Sequence, residues 1–399
     1  MISDKVNFTN NQGQQLVGKV NLPVDQKPHN FVIFAHCFTC TKNLIAIRNI
    51  SNALTNYGFG VLRFDFAGLG ESEGDFAETN FSGNIEDLIA AADFLKENYT
   101  APSLLIGHSL GGAAVLFAAS KIESIKAVST IAAPSDPMHV KKLLQDSVEE
   151  ISKKGYATVL LSGRPFTIKK QFLDDLENKS LMDIVANLRK PLLVLHSPQD
   201  TLVKIINAEE IYKAAFHPKS FISLDQADHL LSKKEDSLYV GEVIGGWASR
   251  YVDIPEAAKL STQDEVVASL SHEDNFLTQM KVGSHYMLAD EPISAGGNNF
   301  GPNPYELVTA GLSACTSMTL HMYAKRKKWD LQKVNVHISH TKEEVEDGQK
   351  QDVFTRHIEM QGELDEKQRK RLIEIANKCP VHKTLHQGSK VVTLEKKCI

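Results

Sequence analysis

The chain has 399 residues, and at about 150 residues per domain this length predicts two or three domains. Its 42% hydrophobic and 23% charged residues exclude a disordered or low-complexity chain. A net charge of -5, from 44 Lys and Arg against 49 Asp and Glu, argues against a dedicated nucleic-acid-binding protein, which would carry a basic domain or stripe.

Targeting signals and cysteine usage point to the same compartment. No apolar stretch approaches the roughly 18 residues of a membrane span, and residues 1–15 are too polar for a signal peptide. Five cysteines are an odd number and too few for a disulfide scaffold. The sequence therefore predicts a cytoplasmic protein without nucleic-acid or membrane partners.

Short apolar runs alternate with amphipathic stretches over the first 250 residues, which predicts an α/β domain with a mostly parallel sheet covered by helices. The runs are almost continuously hydrophobic, as is typical of strands buried on both faces. The predicted strands are residues 31–35, 61–64, 103–106, 127–131, 192–195 and 221–224. Between about residues 134 and 190 the pattern becomes helical and charged, which predicts a small helical cap over the sheet.

A second domain follows a change in composition. Residues 253–265 are small and polar and include a proline, which indicates a linker after a first domain of residues 1–252. Residues 266–399 then give alternating segments, a long helix over 304–328, strands near 333–339 and 354–361, and a charged helix over 365–378. Strands gathered around one long helix predict an α+β fold.

The segment from Gly107 to Gly111 has the pattern G-x-S-x-G, with Ser109 at its centre. It follows an apolar strand and opens an Ala-rich helix, which is the context of a nucleophile elbow. A tight strand-to-helix turn exposes the serine Oγ and leaves no room for side chains at the flanking glycines. The helix N-terminus places N–H groups beside a developing oxyanion.

A serine nucleophile needs a base and an orienting acid, which follow it along the chain in this type of fold. Asp200 comes just after one predicted strand and His229 just after the next, at the carboxyl ends where catalytic groups of open parallel sheets lie. Asp225 and Asp228 are alternative acids, but they are too close to His229 in sequence to orient its ring and are expected in turns.

With these residues the first 250 positions resemble an α/β-hydrolase, and the segment from Arg63 to Gly74 is similar to the loop after that family's fourth strand. The resemblance implies an oxyanion hole formed by the main-chain N–H groups of Phe38 and Leu110. The family's usual His-Gly after the third strand is His36-Cys37 here.

Four side chains around this site have simpler interpretations. His36 and His108 are expected to be hydrogen-bonded framework histidines. Cys37 and Cys40 form a C-x-x-C that could be redox-active, but it does not open a helix as in thioredoxin-like proteins, so we expect two packed loop thiols.

The long helix of the second domain is rich in small residues and carries Cys315 near its middle, so we expect it at the centre of a domain or subunit interface. Cys379 ends a later helix, just before Pro380. A lone buried cysteine is most often a small hydrophobic residue. Cys398, next to the terminus, is expected to take no part.

The G-P-x-P-x-E-L…A-C-T and C-P-V-H segments resemble the OsmC and Ohr family of thiol-dependent hydroperoxide-reducing proteins over residues 266–399. The resemblance implies a homodimer, a peroxidatic thiolate at Cys315 and a resolving thiol at Cys379 that closes a disulfide. An external thiol would be the reductant, and neither a metal nor a bound cofactor is implied.

Two positions depart from the hydroperoxide-reducing pattern. Tyr305 stands where those proteins have a carboxylate, and Glu306 lies nine residues from Cys315, about 180° around the helix. No arginine lies between Tyr251 and Lys325 to lower the thiol pKa. Arg356 and His382 remain as candidate cations.

Together the two halves resemble the bacterial proteins that fuse an α/β-hydrolase to an OsmC-like domain. The resemblance implies an esterase-like hydrolase acting on a small acyl substrate, with a second activity on organic hydroperoxides. Two alternatives stay open: the second half is a non-catalytic dimerisation or small-molecule-binding module, or the protein is chiefly a thiol peroxidase with an accessory hydrolase domain.

Overall fold

The computed structural model describes residues 2–24, 27–37, 39–161, 164–177, 179–255, 260–344 and 350–395. The chain divides into two compact units, Met1–Lys259 and Leu260–Ile399. The division falls inside the predicted linker. The predicted fold classes, α/β for the first unit and α+β for the second, are confirmed.

The first unit contains one large sheet and one separate two-stranded hairpin. Its strands are β1 (Ile2–Thr9), β2 (Gln15–Leu22), β3 (Asn30–Ala35), β4 (Phe59–Phe64), β5 (Pro102–His108), β6 (Ala127–Ile131), β7 (Tyr156–Leu161), β8 (Arg164–Lys169), β9 (Leu192–His196) and β10 (Lys219–Ser223). Its helices are α1 (Ile45–Asn56), α2 (Phe81–Asn98), α3 (Leu110–Lys121), α4 (Val140–Leu143), α5 (Gln145–Lys154), α6 (Lys170–Glu177), α7 (Leu181–Asn187), α8 (Ile206–Ala214) and α9 (Lys234–Ala248).

Among the described residues, eight strands pair in the order β1-β2-β4-β3-β5-β6-β9-β10. All neighbours from β4 to β10 are parallel, whereas β2 is antiparallel to both β1 and β4. The six predicted strands all belong to the parallel part. Because parallel neighbours end at the same edge, the residues that follow β3, β5, β9 and β10 lie along one edge of the sheet.

Both faces of the sheet are covered, which explains why its strands are continuous apolar runs. Along β3, Val32 and Phe34 pack into the core shared with α1 and α9. Phe31 and Ile33, pointing to the opposite face, pack into the core shared with α2 and α3. Successive side chains of a strand point to opposite faces, so each must be apolar when both faces are buried.

The cap differs from the helical insertion that the sequence predicts. Between α5 and α6 it contains β7 and β8, which pair antiparallel. The side chains of Ala157, Val159 and Ile168 are buried in the core of the first unit while their neighbours point outward. This two-residue alternation forms a half-buried hairpin, and the charged helices on either side obscure it in the sequence.

The second unit has the strands β11 (Val266–Ser269), β12 (Thr278–Val282), β13 (His285–Ala289), β14 (Lys333–Glu344) and β15 (Lys350–Gln361). Its helices are α10 (Pro304–Lys327), α11 (Glu366–Ala376) and α12 (Pro380–Gln387). Strands β11 to β13 form one antiparallel sheet and β14 pairs antiparallel with β15. Among the described residues of the chain, no helix is long and apolar enough to span a membrane.

Helix α10 is less enclosed than its small residues predict. Only one stripe of it is buried in the chain, namely Leu312, Thr316, Leu320 and Ala324. These residues are four apart and therefore lie on one face. Within one chain the helix is therefore not enclosed on all sides, and its expected place in a subunit interface stays a prediction.

Candidate functional site

Ser109 occupies the sharp turn between β5 and α3. Its φ of 56° lies in the left-handed region, where a non-glycine residue is strained, and such strain is concentrated at functional sites. A Cβ at Gly107 would lie 2.3 Å from the Gly111 carbonyl oxygen, and one at Gly111 would lie 2.4 Å from the His36 carbonyl oxygen. Both glycines are therefore required for the turn to close against β3.

A continuous chain of hydrogen bonds joins Ser109 to two residues that are distant in sequence. The Ser109 Oγ lies 3.0 Å from Nε2 of His229, and Nδ1 of His229 lies 2.7 Å from Oδ2 of Asp200. The main-chain N–H groups of Leu202 and Val203 donate to the other carboxylate oxygen. The structure therefore brings together the serine, histidine and aspartate that the sequence singled out.

The charge of Asp200 fixes the tautomer of His229. Burial opposes ionisation of Asp200, but the hydrogen bond from His229 and the two main-chain donors outweigh it and lower the pKa of the carboxyl. The ionised carboxylate accepts the Nδ1–H of His229, which leaves Nε2 free to accept the proton of Ser109. Such an arrangement is able to activate a serine as a nucleophile.

The two alternative acids, Asp225 and Asp228, accept hydrogen bonds within their own turns. The hydroxyl of Ser223 donates to Asp225 at 2.6 Å, and the main-chain N–H of Ser232 donates to Asp228 at 2.8 Å. Both contacts are local, and the bond to His229 Nδ1 belongs to Asp200.

His108, next to the nucleophile, supports the His229 loop. Its Nε2–H donates to the main-chain oxygen of His229 at 2.7 Å, and its side chain is 3% exposed. No polar group of the described residues bonds to its Nδ1, and the side chain lines a small apolar cavity together with Phe34, Ile47 and Leu231. An unpaired buried nitrogen costs about 1–3 kcal/mol. The bond to His229 is the contact that accounts for a histidine here.

The loop after β3 departs from the prediction of two free thiols, because Cys37 and Cys40 form a disulfide. Their Cα atoms are 5.2 Å apart, within the range that a disulfide spans, and the Cys40 N–H donates to the Cys37 carbonyl in a tight turn. His36 is a buried framework residue whose Nδ1–H donates to the same carbonyl at 2.8 Å. Phe38, a predicted oxyanion donor, lies outside the described residues.

Leu110, the second predicted oxyanion donor, is the first residue of α3. The first N–H groups of a helix have no partner within the helix, so that of Leu110 is available beside Ser109. Its position follows directly from the strand–serine–helix order of the sequence.

In the second unit, Cys315 of α10 and Cys379 at the start of α12 are free thiols in hydrogen-bond contact. Burial and the bond to Cys379 raise the pKa of Cys315. Burial opposes ionisation of Cys379 too, but bonds from Cys315, from main-chain N–H groups of α12 and from Thr316 outweigh it and lower the pKa of Cys379.

A cation that the sequence could not place lies beside this pair. The guanidinium of Arg356, on β15, donates to Thr316 at 2.8 Å and to the main-chain oxygen of Ala376 at 3.2 Å. Burial lowers the pKa of Arg356, while the charge of Cys379 acts in the opposite direction. The feature of the sequence that could have placed Arg356 is the alternation along β15. Arg356 shares the inner face of that strand with Phe354 and Ile358.

The two departures from the hydroperoxide-reducing pattern have structural roles. Glu306 forms a capping box with Asn303, each accepting the other's main-chain N–H, at 2.8 and 2.9 Å. The ring of Tyr305 stacks on His340 with centroids 4.2 Å apart. His382 donates its main-chain N–H to Cys379 at 3.5 Å. Cys398 lies outside the described residues.

Comparisons with known proteins agree with this division. The family described as "Serine aminopeptidase, S33" matches residues 26–184, and the family "OsmC-like protein" matches residues 296–395. The crystal structure of the esterase domain from a Rhodothermus marinus protein is 53% identical and covers 63% of this chain and 99% of that domain, with a TM-score of 0.53. The chain is therefore an α/β-hydrolase joined to an OsmC-like domain.

More distant similarities widen the range of relatives of the first unit. The mouse (Mus musculus) palmitoyl-protein thioesterase ABHD10, mitochondrial, is 26% identical over 212 residues, which cover 51% of this chain and 70% of that protein. Est1E from Butyrivibrio proteoclasticus, solved with ferulic acid bound, is 19% identical with a TM-score of 0.51 and covers 62% of this chain and 98% of that chain. This last similarity shows the fold alone.

Proposed function

We propose that the first unit hydrolyses small carboxylic esters or thioesters through an acyl-enzyme on Ser109. The observation that carries the proposal is the unbroken sequence of hydrogen bonds from Ser109 through His229 to Asp200. It lies at the carboxyl edge of a parallel sheet, where such enzymes bind their substrates.

In the proposed reaction His229 takes the Ser109 proton while Oγ attacks the acyl carbon. The negative charge that forms on the acyl oxygen meets the N–H of Leu110 and a second donor from the loop after β3. His229 then gives its proton to the departing alcohol or thiol, and the acyl group stays on Ser109. Water, deprotonated by His229, releases the acid in the second half. Asp200 stabilises the imidazolium in both halves.

We infer the class of acyl substrate from two similar proteins. The Rhodothermus protein contributes an esterase domain, and ABHD10 is a palmitoyl-protein thioesterase. Oxygen and sulfur esters share the same tetrahedral intermediate, so one triad serves both. We propose activated acyl compounds as the common substrate class.

Hydrolysis of p-nitrophenyl acetate and of a short acyl thioester by the full chain tests this function. We expect Ser109→Ala to lower kcat/KM by at least about 10⁴-fold, because the nucleophile is removed. Asp228→Asn, a neighbour of His229 outside the triad, is the matched control. Hydrolysis by Ser109→Ala at the parent rate would refute the assignment.

A second candidate function is supported by the contact between Cys315 and Cys379. We propose that this pair reduces organic hydroperoxides. Cys315, the half-buried thiol, loses its proton and attacks the outer peroxide oxygen. The O–O bond breaks and the departing alkoxide takes up a proton, which gives a sulfenic acid on Cys315 and an alcohol. Cys379 then displaces water and closes a disulfide, and an external dithiol supplies two electrons to restore both thiols.

Consumption of cumene hydroperoxide with dithiothreitol tests the second function. Cys315→Ser and Cys379→Ser should each abolish turnover, whereas Cys398→Ser, a cysteine outside the pair, should retain it. If the parent protein consumes no hydroperoxide, the OsmC-like domain is instead a dimerisation or small-molecule-binding module, the interpretation that Tyr305 in place of a carboxylate favours. If hydroperoxide is consumed but no ester is hydrolysed, the protein is chiefly a thiol peroxidase.

A further inference from the structure

Strand β9 ends in a histidine that the proposed hydrolysis does not use. His196 follows a run of buried apolar residues in this strand, and its own side chain is fully buried. Its main-chain oxygen accepts the N–H of Leu224 at 2.9 Å, which ties the end of β9 to the end of β10. His196 therefore lies where the loops that carry Asp200 and His229 both begin.

The ring of His196 bonds across the loop that carries the acid. Its Nε2–H donates to the main-chain oxygen of Val203 at 2.6 Å. The main-chain N–H of the same Val203 donates to Oδ1 of Asp200 at 2.9 Å, beside that of Leu202 at 2.8 Å. Val203 is itself buried, so little solvent reaches its carbonyl to replace the ring. His196 thus holds the residue that holds the carboxylate.

The other ring nitrogen indicates that the bond to Val203 is the reason for a histidine at this position. With the proton on Nε2, Nδ1 of His196 is an acceptor, and it is buried without a partner among the described residues. A buried polar atom without a hydrogen bond costs free energy, which a leucine or valine continuing the apolar run of β9 would avoid. The contact with Val203 offsets this cost.

His196 is close to Asp200 without competing for it. Its Nε2 lies 3.7 Å from Oδ2 of Asp200, which is beyond hydrogen-bond distance. Burial lowers the pKa of His196, although the bond to Val203 and the charge of Asp200 act in the opposite direction. The ring is consequently neutral at pH 7, and Oδ2 keeps His229 as its partner.

We propose that His196 is a positioning residue for acyl hydrolysis. Through Val203 it fixes the loop that holds Asp200 against His229. The proposal rests on the proposed hydrolase function and adds a residue to the chain of contacts behind Ser109. Loss of the ring N–H leaves the Val203 carbonyl unpaired, so the loop shifts and the carboxylate is no longer aligned with Nδ1–H of His229.

Hydrolysis of p-nitrophenyl acetate by the full-length parent and by three variants at this position is the test. His196→Leu removes the donor and should lower kcat about 10²-fold with KM nearly unchanged, because a displaced catalytic group slows the reaction without weakening substrate binding. His196→Gln should recover most of this loss, since its amide nitrogen is as many bonds from Cβ as Nε2 of the histidine. His196→Asn is one bond shorter and should stay as slow as His196→Leu.

The proton between His229 and Asp200 gives a second reading, which a purely structural role of His196 would not move. In a charge-assisted hydrogen bond this Nδ1 proton is strongly deshielded, so the parent should show a far-downfield proton NMR resonance that Asp200→Ala lacks. The resonance should remain in His196→Gln. It should broaden or disappear in His196→Leu and His196→Asn, because the carboxylate is no longer held in place.

His29→Leu is the matched control. His29 also donates its Nε2–H to a main-chain oxygen, that of Tyr57, at 2.7 Å. This contact lies at the amino ends of β3 and β4, the opposite edge of the sheet from the triad. The control variant loses a bond of the same kind and should keep the parent kcat. Thermal unfolding of each variant shows that the measured protein is folded.

The parent kcat in a folded His196→Leu protein would overturn the proposal, as would an equal loss of kcat in His29→Leu. If His196→Leu does not fold, the two amide variants decide, and a His196→Gln protein as slow as His196→Asn overturns it. Failure of the hydrolase function itself gives a different result. In that case the parent protein neither hydrolyses the ester nor reacts with a fluorophosphonate at Ser109.

Discussion

Three aspartates were candidates for the acid that orients His229, and the structure distinguishes Asp200 from the other two. Asp200 bonds to the ring, whereas Asp225 and Asp228 bond within their own turns. Asp200→Asn should lower kcat on the order of 10⁴-fold, because an amide neither fixes the tautomer nor stabilises the imidazolium. Asp228→Asn should change kcat less than tenfold. Equal losses in the two variants, measured by ester hydrolysis, would contradict this assignment.

The buried ring of His108 makes the first unit sensitive to acid. Burial, aided by the charge of His229, lowers the pKa of His108 to about 3, against about 6.5 in an unfolded chain. As the pH falls from 7 to 5, the unfolded state takes up a proton that the folded state does not. The free energy of unfolding should therefore fall by about 2 kcal/mol through this residue.

His108→Phe removes this titration and keeps a ring in the cavity. Between pH 7 and 5 the variant should lose about 2 kcal/mol less stability than the parent. Urea unfolding at both pH values, followed by circular dichroism, gives the comparison. A parallel decline in the two proteins would show that His108 is protonated in the folded state. The variant should also hydrolyse esters more slowly, because the His229 main chain loses a partner.

At the scale of elements, the hydrophobic pattern was sufficient to predict the strands that are buried on both faces. It predicted β3, β4, β5, β6, β9 and β10 and the order Ser109, Asp200, His229 along one sheet edge. It did not predict β1 or the β7–β8 hairpin, in which buried side chains alternate with exposed ones. Nor did it predict β2, in which Gly18, Lys19 and Asn21 interrupt the apolar run.

Contacts between particular side chains could not be predicted from the sequence, for a different reason. The disulfide between Cys37 and Cys40 depends on the turn that brings their Cα atoms to 5.2 Å. The surroundings of Cys379 depend on the N–H of His382 at the start of α12, and those of the neighbouring Thr316 depend on Arg356, which comes from another strand. Spacing along the chain does not contain such contacts.

The close packing of α3 against the end of β3 predicts how a glycine substitution in this helix changes the stability of the fold. Gly111→Ala places a Cβ 2.4 Å from the His36 carbonyl and should destabilise the fold by about 3 kcal/mol, since backbone must move. Gly246→Ala, in α9, meets nothing nearer than 3.9 Å and should stabilise by about 0.5–1 kcal/mol. Thermal unfolding compares them, and a Gly111→Ala protein as stable as the parent would contradict the close approach.

At the scale of the whole molecule, the free face of α10 supports the proposed homodimer. Met318 and Met322 are 65% and 70% exposed and lie opposite the buried stripe of the helix. An exposed apolar face of this kind is typical of an interaction surface. We propose that a second copy covers it.

Light scattering measures the mass in solution. The parent should have twice 44.2 kDa. Met318→Asp/Met322→Asp should give the single-chain mass, because charges resist burial at an apolar contact. Leu160→Asp, at an equally exposed apolar residue of the cap, should leave the mass doubled. A single-chain mass for the parent would contradict the homodimer.

The central claim, that Ser109 is an activated nucleophile, is tested most directly by covalent labelling of the full chain. A fluorophosphonate reacts only with a serine whose proton a neighbouring base removes. We predict one adduct per chain, located by mass spectrometry on the peptide that contains Ser109, and none in Ser109→Ala. An unlabelled parent protein, or an adduct that persists in Ser109→Ala, would contradict the account.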